Sequence, residues 1–141
     1  MKYKDAIIDN LRLLGFELYE LENIGYSFEY EGHTLFVIFD EKDVHGLRIS
    51  LPLKCNSSEE YHDKKRPALH ETSQILKYVK LYIANDNSLW ATYEHYLVSS
   101  DNIMELLVHM IRGLFIAYEI YTKKLKQIEV QTTQEIGKYN N

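Results

Sequence analysis

Two stretches of the chain, residues 24–30 and 47–53, alternate strictly between apolar and polar side chains. Successive side chains of a β-strand point to opposite faces of its sheet, so this pattern predicts strands with one buried face and one solvated face. A helix does not fit the pattern, because the apolar face of a helix requires residues spaced three to four apart. The chain must therefore build a sheet and bring other elements to cover one face of it.

Further strand signals lie on either side of these two stretches. Residues 34–39 contain a continuous apolar run, which is typical of a central strand that is covered on both sides, or covered on one side by a partner. Residues 79–83 and 89–97 alternate around Asn and Asp residues that favour a tight turn, so we predict a hairpin. Residues 16–21 are a shorter candidate. Pro52 cannot donate a ladder hydrogen bond, so we expect its end of the strand to lie at an edge or a bulge.

Apolar residues at helical spacing predict three helices. Residues 3–14 are followed by a glycine, which is a natural helix stop. Residues 68–77 follow Pro67, a residue that suits the first turn of a helix. Residues 101–125 carry one long apolar stripe. Between the strands and the second helix, the polar residues 54–66 are expected to form an exposed connection.

The resulting order is α-β-β-β-β-α-β-β-α, which indicates the α+β class: an antiparallel sheet of five to six strands with N-terminal, middle and long C-terminal helices packed on it. The 141 residues suit one domain. We place that domain at residues 1–126 and a polar, frayed tail at residues 127–141. Cys55 is the single cysteine, so we expect neither an internal disulfide nor a cysteine-based zinc site.

The charge of the chain narrows the choice of partner. There are 16 Lys and Arg against 21 Asp and Glu, and residues 16–31 include five acidic side chains and no basic one. Nucleic-acid binding requires basic residues that neutralise phosphates, so we expect no nucleic-acid partner. The same charge repels an anionic membrane and attracts a basic partner, and we expect no membrane association. The N-terminus has no signal-peptide pattern, so we expect a cytoplasmic protein.

The sequence contains no recognisable motif for catalysis or metal binding. The six histidines lack the spacing of a helical metal site, and the six glycines are isolated and form no phosphate-binding loop. Cys55 has no neighbouring glycines of the kind that expose a nucleophile on a sharp turn. We therefore expect no enzyme, no metal and no cofactor.

Tyrosine is frequent, with 12 copies, and many lie at strand positions. A tyrosine ring suits a strand surface that is buried in one state and wet in another, although the high β propensity of tyrosine explains the same enrichment. If the helices cover one sheet face, a homodimer most simply covers the other; a monomer results if residues 54–66 fold over that face instead. The sequence does not decide which face is exposed. The candidate residues for a partner-binding or dimer surface are Tyr26, Phe28, Tyr30, Phe36, Val37, Tyr82, Trp90, Tyr93 and Tyr96.

Residues 78–83, the Asn-Asp-Asn turn after them and residues 90–94 resemble the second half of YbjN-type proteins. These proteins are often described as sensory transduction regulators and share a fold with type III secretion chaperones. Residues 68–125 follow the pattern of that half, a short helix, a hairpin and a long C-terminal helix. The first helix, with its Gly15-Phe16 ending, and the strands after it resemble the other half. The resemblance therefore spans about residues 1–125.

This resemblance implies an α+β module that dimerises and holds extended or partly unfolded segments of partner proteins, without catalysis and without a cofactor. Together with the tyrosines and the acidic strands, it favours a non-enzymatic, chaperone-like protein-binding module whose partner offers a basic or extended segment. The alternatives are a small-molecule sensor or regulatory domain and an enzyme with no recognisable motif. Stoichiometric protein partners would favour the first function, and turnover abolished by one substitution would favour the enzyme.

Overall fold

Residues 2–53 and 62–139, which the computed structural model describes, form three helices and six strands in the order α-β-β-β-β-α-β-β-α. The predicted α+β class and the predicted order of elements are confirmed. The elements are α1 (Lys4–Leu13), β1 (Tyr19–Leu21), β2 (Gly25–Tyr30), β3 (His33–Ile38), β4 (Gly46–Leu53), α2 (His62–Ile75), β5 (Val79–Ile83), β6 (Leu89–Tyr96) and α3 (Ile103–Tyr139).

The six strands belong to one antiparallel sheet in the order β1-β2-β3-β4-β6-β5. Strands β1 to β4 pair with their neighbours along the chain. After α2, β5 takes the far edge and β6 returns to pair with the whole length of β4. The described sheet therefore has two edges, formed by β1 and β5.

The register of the strands gives the sheet an inner face and an outer face. Val37 of β3 lies opposite Ile49 of β4, and both side chains are fully buried. On this inner face, α3 packs along β4, β5 and β6, and it also contacts α1 and α2. The buried core joins this one sheet face to all three helices. The outer face consequently carries none of the described helices.

β3 is the third of the six strands, which confirms that the continuous apolar run forms a central strand. Leu35 and Val37 point to the core and are fully buried, whereas Phe36 and Ile38 reach the outer face and are half-buried. β3 pairs with residues 48–50 of β4, and Pro52 lies beyond this segment. At Pro52, β4 is therefore paired with β6 alone. The position of Pro52 agrees with the expected edge.

Both later helices are longer than the sequence predicts. α2 begins at His62, so residues 62–66 are helical and are not part of an exposed connection; residues 54–61 lie outside the described residues. Pro67 is consequently inside the helix instead of in its first turn. Lys and Arg favour helices, which explains why α2 starts ahead of the proline. α3 continues to Tyr139, beyond the predicted domain limit at residue 126. The division into a domain and a frayed tail stays a prediction.

Candidate protein-interaction surfaces

The nine candidate surface residues are divided between the two faces of the sheet. The sequence pattern could not assign them, because a strand that is apolar on both sides looks the same from either face. Register now assigns each residue. Tyr26, Phe28, Tyr30, Val37 and Tyr93 lie on the inner face, and Phe36, Tyr82, Trp90 and Tyr96 lie on the outer face.

Phe28 and Val37 have no exposed surface. Both belong to the core between the sheet and the helices, where the ring of Phe28 lies 4.7 Å from the ring of Phe16. A partner cannot contact either side chain in the folded chain. The structure therefore corrects the expectation for these two residues, and we remove them from the candidate surface.

Tyr93 and Tyr26 are half-buried on the inner face and serve packing within the chain. The ring of Tyr93 stacks on Tyr78 at 6.1 Å, and a side chain at Gly113 of α3 would come within about 3.1 Å of it. Burial raises the pKa of the Tyr93 phenol, and the nearby Tyr78 raises it further. Tyr26 meets the ring of Phe39 at 6.2 Å.

Tyr30 lines a groove of about 1000 Å³ between α3 and the β2–β3 hairpin, which we call the α3 groove. Tyr30 is 41% exposed, and its ring meets Phe115 edge-on at 5.4 Å and Phe16 edge-on at 5.7 Å. Aromatic rings from the sheet and from α3 thus form one continuous apolar wall. The groove is lined by Leu14, Phe16, Tyr30, Glu31, His33, Val108, Ile111, Arg112, Phe115, Ile116, Tyr118 and Glu119.

His33 lies in the wall of the α3 groove. Its ring meets Phe115 at 5.3 Å and Tyr118 at 4.9 Å, both nearly edge-on. The Nδ1 atom is buried and makes no hydrogen bond within the described part of the chain. A buried nitrogen without a hydrogen bond destabilises a fold by about 1–3 kcal/mol.

We expect His33→Phe to raise the free energy of unfolding by about 1 kcal/mol, because the phenyl ring keeps the edge contacts and removes the buried polar nitrogen. Urea unfolding followed by circular dichroism measures the change. His70→Phe is the control: His70 is exposed on α2, and we expect a change within about 0.5 kcal/mol. A lower stability of His33→Phe would contradict the prediction.

Sequence reasoning missed most of the α3 groove. It selected Tyr30 but not Phe16, His33 or Phe115. Phe115 directly follows Leu114 of the apolar stripe, so its side chain points to a different side of α3. An apolar residue just outside the stripe was the one sign in the sequence of a second apolar strip on α3. The wall itself depends on the packing of α3 over a hairpin more than 80 residues earlier in the chain, which no local pattern encodes.

The outer face carries the other four candidate residues. Phe36 and Trp90 are half-buried with ring centroids 5.6 Å apart, and the Trp90 indole nitrogen donates a hydrogen bond to the Ser88 hydroxyl at 2.9 Å. Tyr82 is 39% exposed. Tyr96 is 61% exposed and stacks on His45 at 4.9 Å. Phe36, Trp90 and Tyr82 thus form a partly exposed aromatic surface on the side of the sheet without described helices, whereas Tyr96 lies six residues from Trp90, at the other end of β6.

The polar side chains in the middle of the outer face pair with one another. Ser50 and Thr92 are buried, and their hydroxyls hydrogen-bond at 2.9 Å. Arg48 and Glu94 form a cross-strand salt bridge at 2.9 Å. The middle of the outer face is consequently close to neutral.

The β1 edge is acidic. Glu17 raises the pKa of the Tyr19 phenol through its charge and through a side-chain hydrogen bond, and the charge of Glu29 adds to the effect. Glu29 of β2 lies on the outer face of the sheet, because the neighbouring Phe28 points to the inner face. The acidic stretch noted in the sequence thus places at least two carboxylates close together in space.

Metal chemistry has no visible support in residues 2–53 and 62–139. No group of three or more His, Cys, Asp and Glu side chains in these residues could hold a metal ion. Cys55 lies outside the described residues. Among the described helices, none is both long enough and apolar enough to cross a membrane.

A six-stranded antiparallel sheet with all described helices on one face defines an α+β open-sheet protein. This architecture is similar to that of YbjN from E. coli, with a TM-score of 0.63 at 13% sequence identity over 87% of this chain and 92% of that chain. An uncharacterized protein from Methanothermobacter thermautotrophicus is similar with a TM-score of 0.61 at 18% identity over 88% of this chain and 96% of that one.

A chain of the HopA1–SchA chaperone–effector complex has the same fold, with a TM-score of 0.54 at 13% identity over 83% of this chain and 93% of that chain. The expected resemblance to YbjN-type proteins and to secretion chaperones is confirmed as a resemblance of fold. At these identities the comparisons establish the fold alone. No protein-family model and no curated protein sequence matches the chain.

Proposed function

We propose that the chain is a non-enzymatic, chaperone-like protein-binding module that holds an extended segment of a partner protein in the α3 groove. The observation that carries this proposal is the groove itself, about 1000 Å³ in volume and walled by rings from both the sheet and α3. Aromatic side chains that remain partly exposed are typical anchors of protein–protein contacts. The chaperone–effector complex among the proteins of similar fold supports the same function.

The charges around the α3 groove favour a segment with basic residues beside an apolar anchor. The lining of the groove includes two acidic side chains, Glu31 and Glu119, and one Arg side chain, Arg112. The acidic residues 16–31 extend the negative charge along the sheet. A basic partner segment would therefore be attracted, and its binding should weaken as salt rises.

We further propose that the module acts in the cytoplasm, as a homodimer, and binds neither nucleic acid nor membrane. The net charge of −5 supports the last two points. A small-molecule sensor is a second candidate, since the volume of the α3 groove lies within the range of small-ligand sites. A metabolite that raises the melting temperature of the wild type but not of a groove variant would favour that function.

Selection from a random library of 12-residue peptides tests the proposed function directly. We expect the selected peptides to share one aromatic or aliphatic anchor flanked by Lys or Arg. Phe115→Ala should weaken their binding at least tenfold, because truncation of a central aromatic residue commonly has effects of this size. Fluorescence anisotropy with a labelled selected peptide measures the affinity.

Tyr78→Ala is the matched control, since Tyr78 is a 72% exposed tyrosine outside the α3 groove. Its affinity for the peptide should equal that of the wild type. Circular dichroism confirms that both variants are folded. Selection without any shared anchor, or equal affinity of Phe115→Ala and the wild type, would contradict binding in the groove. Turnover of a substrate that one substitution abolishes would overturn the non-enzymatic assignment.

A further inference from the structure

The outer face of the sheet carries opposite charges near its two edges. Glu29 on β2 lies close to Tyr19 at one edge. Lys80 on β5 lies at the other edge, exposed and on the outer face, because its neighbour Leu81 points into the core. Arg48 and Glu94 neutralise each other between these edges. The face thus has an acidic side at β2 and a basic side at β5, with the Phe36–Trp90 rings and the paired polar side chains between them.

We propose that the outer face pairs with the outer face of a second copy of this chain, related by a two-fold axis that runs along β4. This rotation places β2 of one copy over β5 of the second copy, so Glu29 of each copy meets Lys80 of the other. The same rotation places β3 over β6, so Phe36 of one copy lies over Thr92 of the second, with Trp90 two residues away along that strand. The inference rests on the proposed homodimer and is independent of the α3 groove.

The strand order supplies the distances for this arrangement. β2 and β5 are separated by four strand spacings, about 19 Å, and the axis at β4 lies midway between them. Glu29 pairs with Thr34 of β3. Lys80 lies in the row of paired residues that contains Phe36 of β3. Since Thr34 and Phe36 are two residues apart, Glu29 and Lys80 are offset by two residues along the strands. This offset is about 7 Å, a gap that a lysine side chain can span. Two sheets stacked face to face lie about 10 Å apart.

Charge complementarity selects the second copy and its orientation. A partner of uniform charge would be attracted at one edge of the outer face and repelled at the other. A two-fold axis across the strands would stack β2 on β2 and β5 on β5, which places like charges together. Rotation about β4 matches both edges at once, and each Glu29–Lys80 pair occurs twice by symmetry. The rotation also brings Arg48 of the two copies near the axis, where each guanidinium stays paired with Glu94 of its own copy.

Light scattering after gel filtration tests the arrangement on the full chain. The wild type at micromolar concentration should have about twice the monomer mass of 16.7 kDa. Glu29→Lys and Lys80→Glu should each raise the dissociation constant at least tenfold in 50 mM salt, since each reversal creates two like-charge contacts. The double variant Glu29→Lys/Lys80→Glu should return to wild-type affinity.

Lys126→Glu is the matched control, because Lys126 is exposed on α3, away from the sheet; its dimer affinity should not change. A monomeric wild type would overturn the inference, and so would single variants that dimerise normally or a double variant without rescue. Peptide binding in the α3 groove should equal that of the wild type in Lys80→Glu and Lys126→Glu, since neither lysine lines the groove, whereas Glu29→Lys removes one of the acidic charges that attract a basic segment. A monomeric wild type that still binds the peptide would contradict this inference and leave peptide binding in the α3 groove standing.

Discussion

Val37→Asp is expected to leave the chain largely unfolded at 25 °C and pH 7. Val37 has no exposed surface and lies opposite Tyr26 and Ile49 on the inner face of the sheet. The substitution removes about 1.5–3 kcal/mol of apolar burial, and an unpaired carboxylate in the core costs several kcal/mol more. A domain has a total stability of about 5–15 kcal/mol, so the sum removes most of it.

The stability of Val37→Asp should depend on pH in a defined direction. Burial raises the pKa of the introduced carboxyl above its ordinary value of about 3.9, so the folded state holds the proton more tightly than the unfolded state does. The loss relative to wild type is therefore smallest below about pH 4 and grows as the pH rises through the pKa of the folded state. Urea unfolding of both proteins at pH 4 and pH 7 measures the difference.

Val44→Asp provides the control for this experiment. Val44 is 44% exposed in the connection between β3 and β4, and we expect its variant to lie within about 0.5 kcal/mol of the wild type. A Val37→Asp chain that folds normally, with the same stability at both pH values, would show that the inner face of the sheet is not the core.

Local patterns in the sequence were sufficient for the elements of this fold. Alternation over residues 24–30 and 47–53 identified β2 and β4, because the period of two follows from strand geometry alone. The Asn- and Asp-rich turn identified the β5–β6 hairpin, because Asn and Asp favour the backbone conformations of tight turns. The order of the elements then led to the α+β class.

The faces of the sheet could not be predicted from the sequence. Leu35 and Phe36 look equivalent in a continuous apolar run, yet Leu35 is fully buried and Phe36 is half-buried on the outer face. The difference arises from the side on which α3 packs, and this choice depends on contacts between residues far apart in the chain. Two of the nine candidate residues were consequently assigned to a surface although they belong to the core.

The length of α3 was underestimated for a different reason. Residues after Ile128 are mostly polar, which suggests fraying, but a helix already nucleated and packed adds further turns at little cost. Packing of the stripe from Ile103 to Tyr121 against the sheet supplies the nucleus. α3 therefore reaches Tyr139, and its 37 residues span about 55 Å.

Trp90→Asp is expected to give a folded monomer. Trp90 is half-buried on the outer face, where its ring lies 5.6 Å from Phe36. In the free chain the introduced carboxylate can remain in contact with water, so the fold is retained. In the proposed dimer the same carboxylate would be buried against β3 of the second copy, beside Phe36, at a cost of several kcal/mol. The dissociation constant should therefore rise at least a hundredfold, as is typical when a central tryptophan is lost.

Sedimentation velocity from 1 to 100 µM measures this dissociation, and circular dichroism measures the fold in the same samples. Trp90→Phe is the matched control, because it keeps an aromatic ring beside Phe36 and should remain a dimer. A folded, dimeric Trp90→Asp variant would show that the outer face is not the interface. Should Trp90→Asp prove unfolded, the exposed Lys80 decides the question, since Lys80→Glu leaves the core untouched. A folded Lys80→Glu chain with wild-type dimer affinity would then contradict the face-to-face arrangement, whereas a folded monomer would support it.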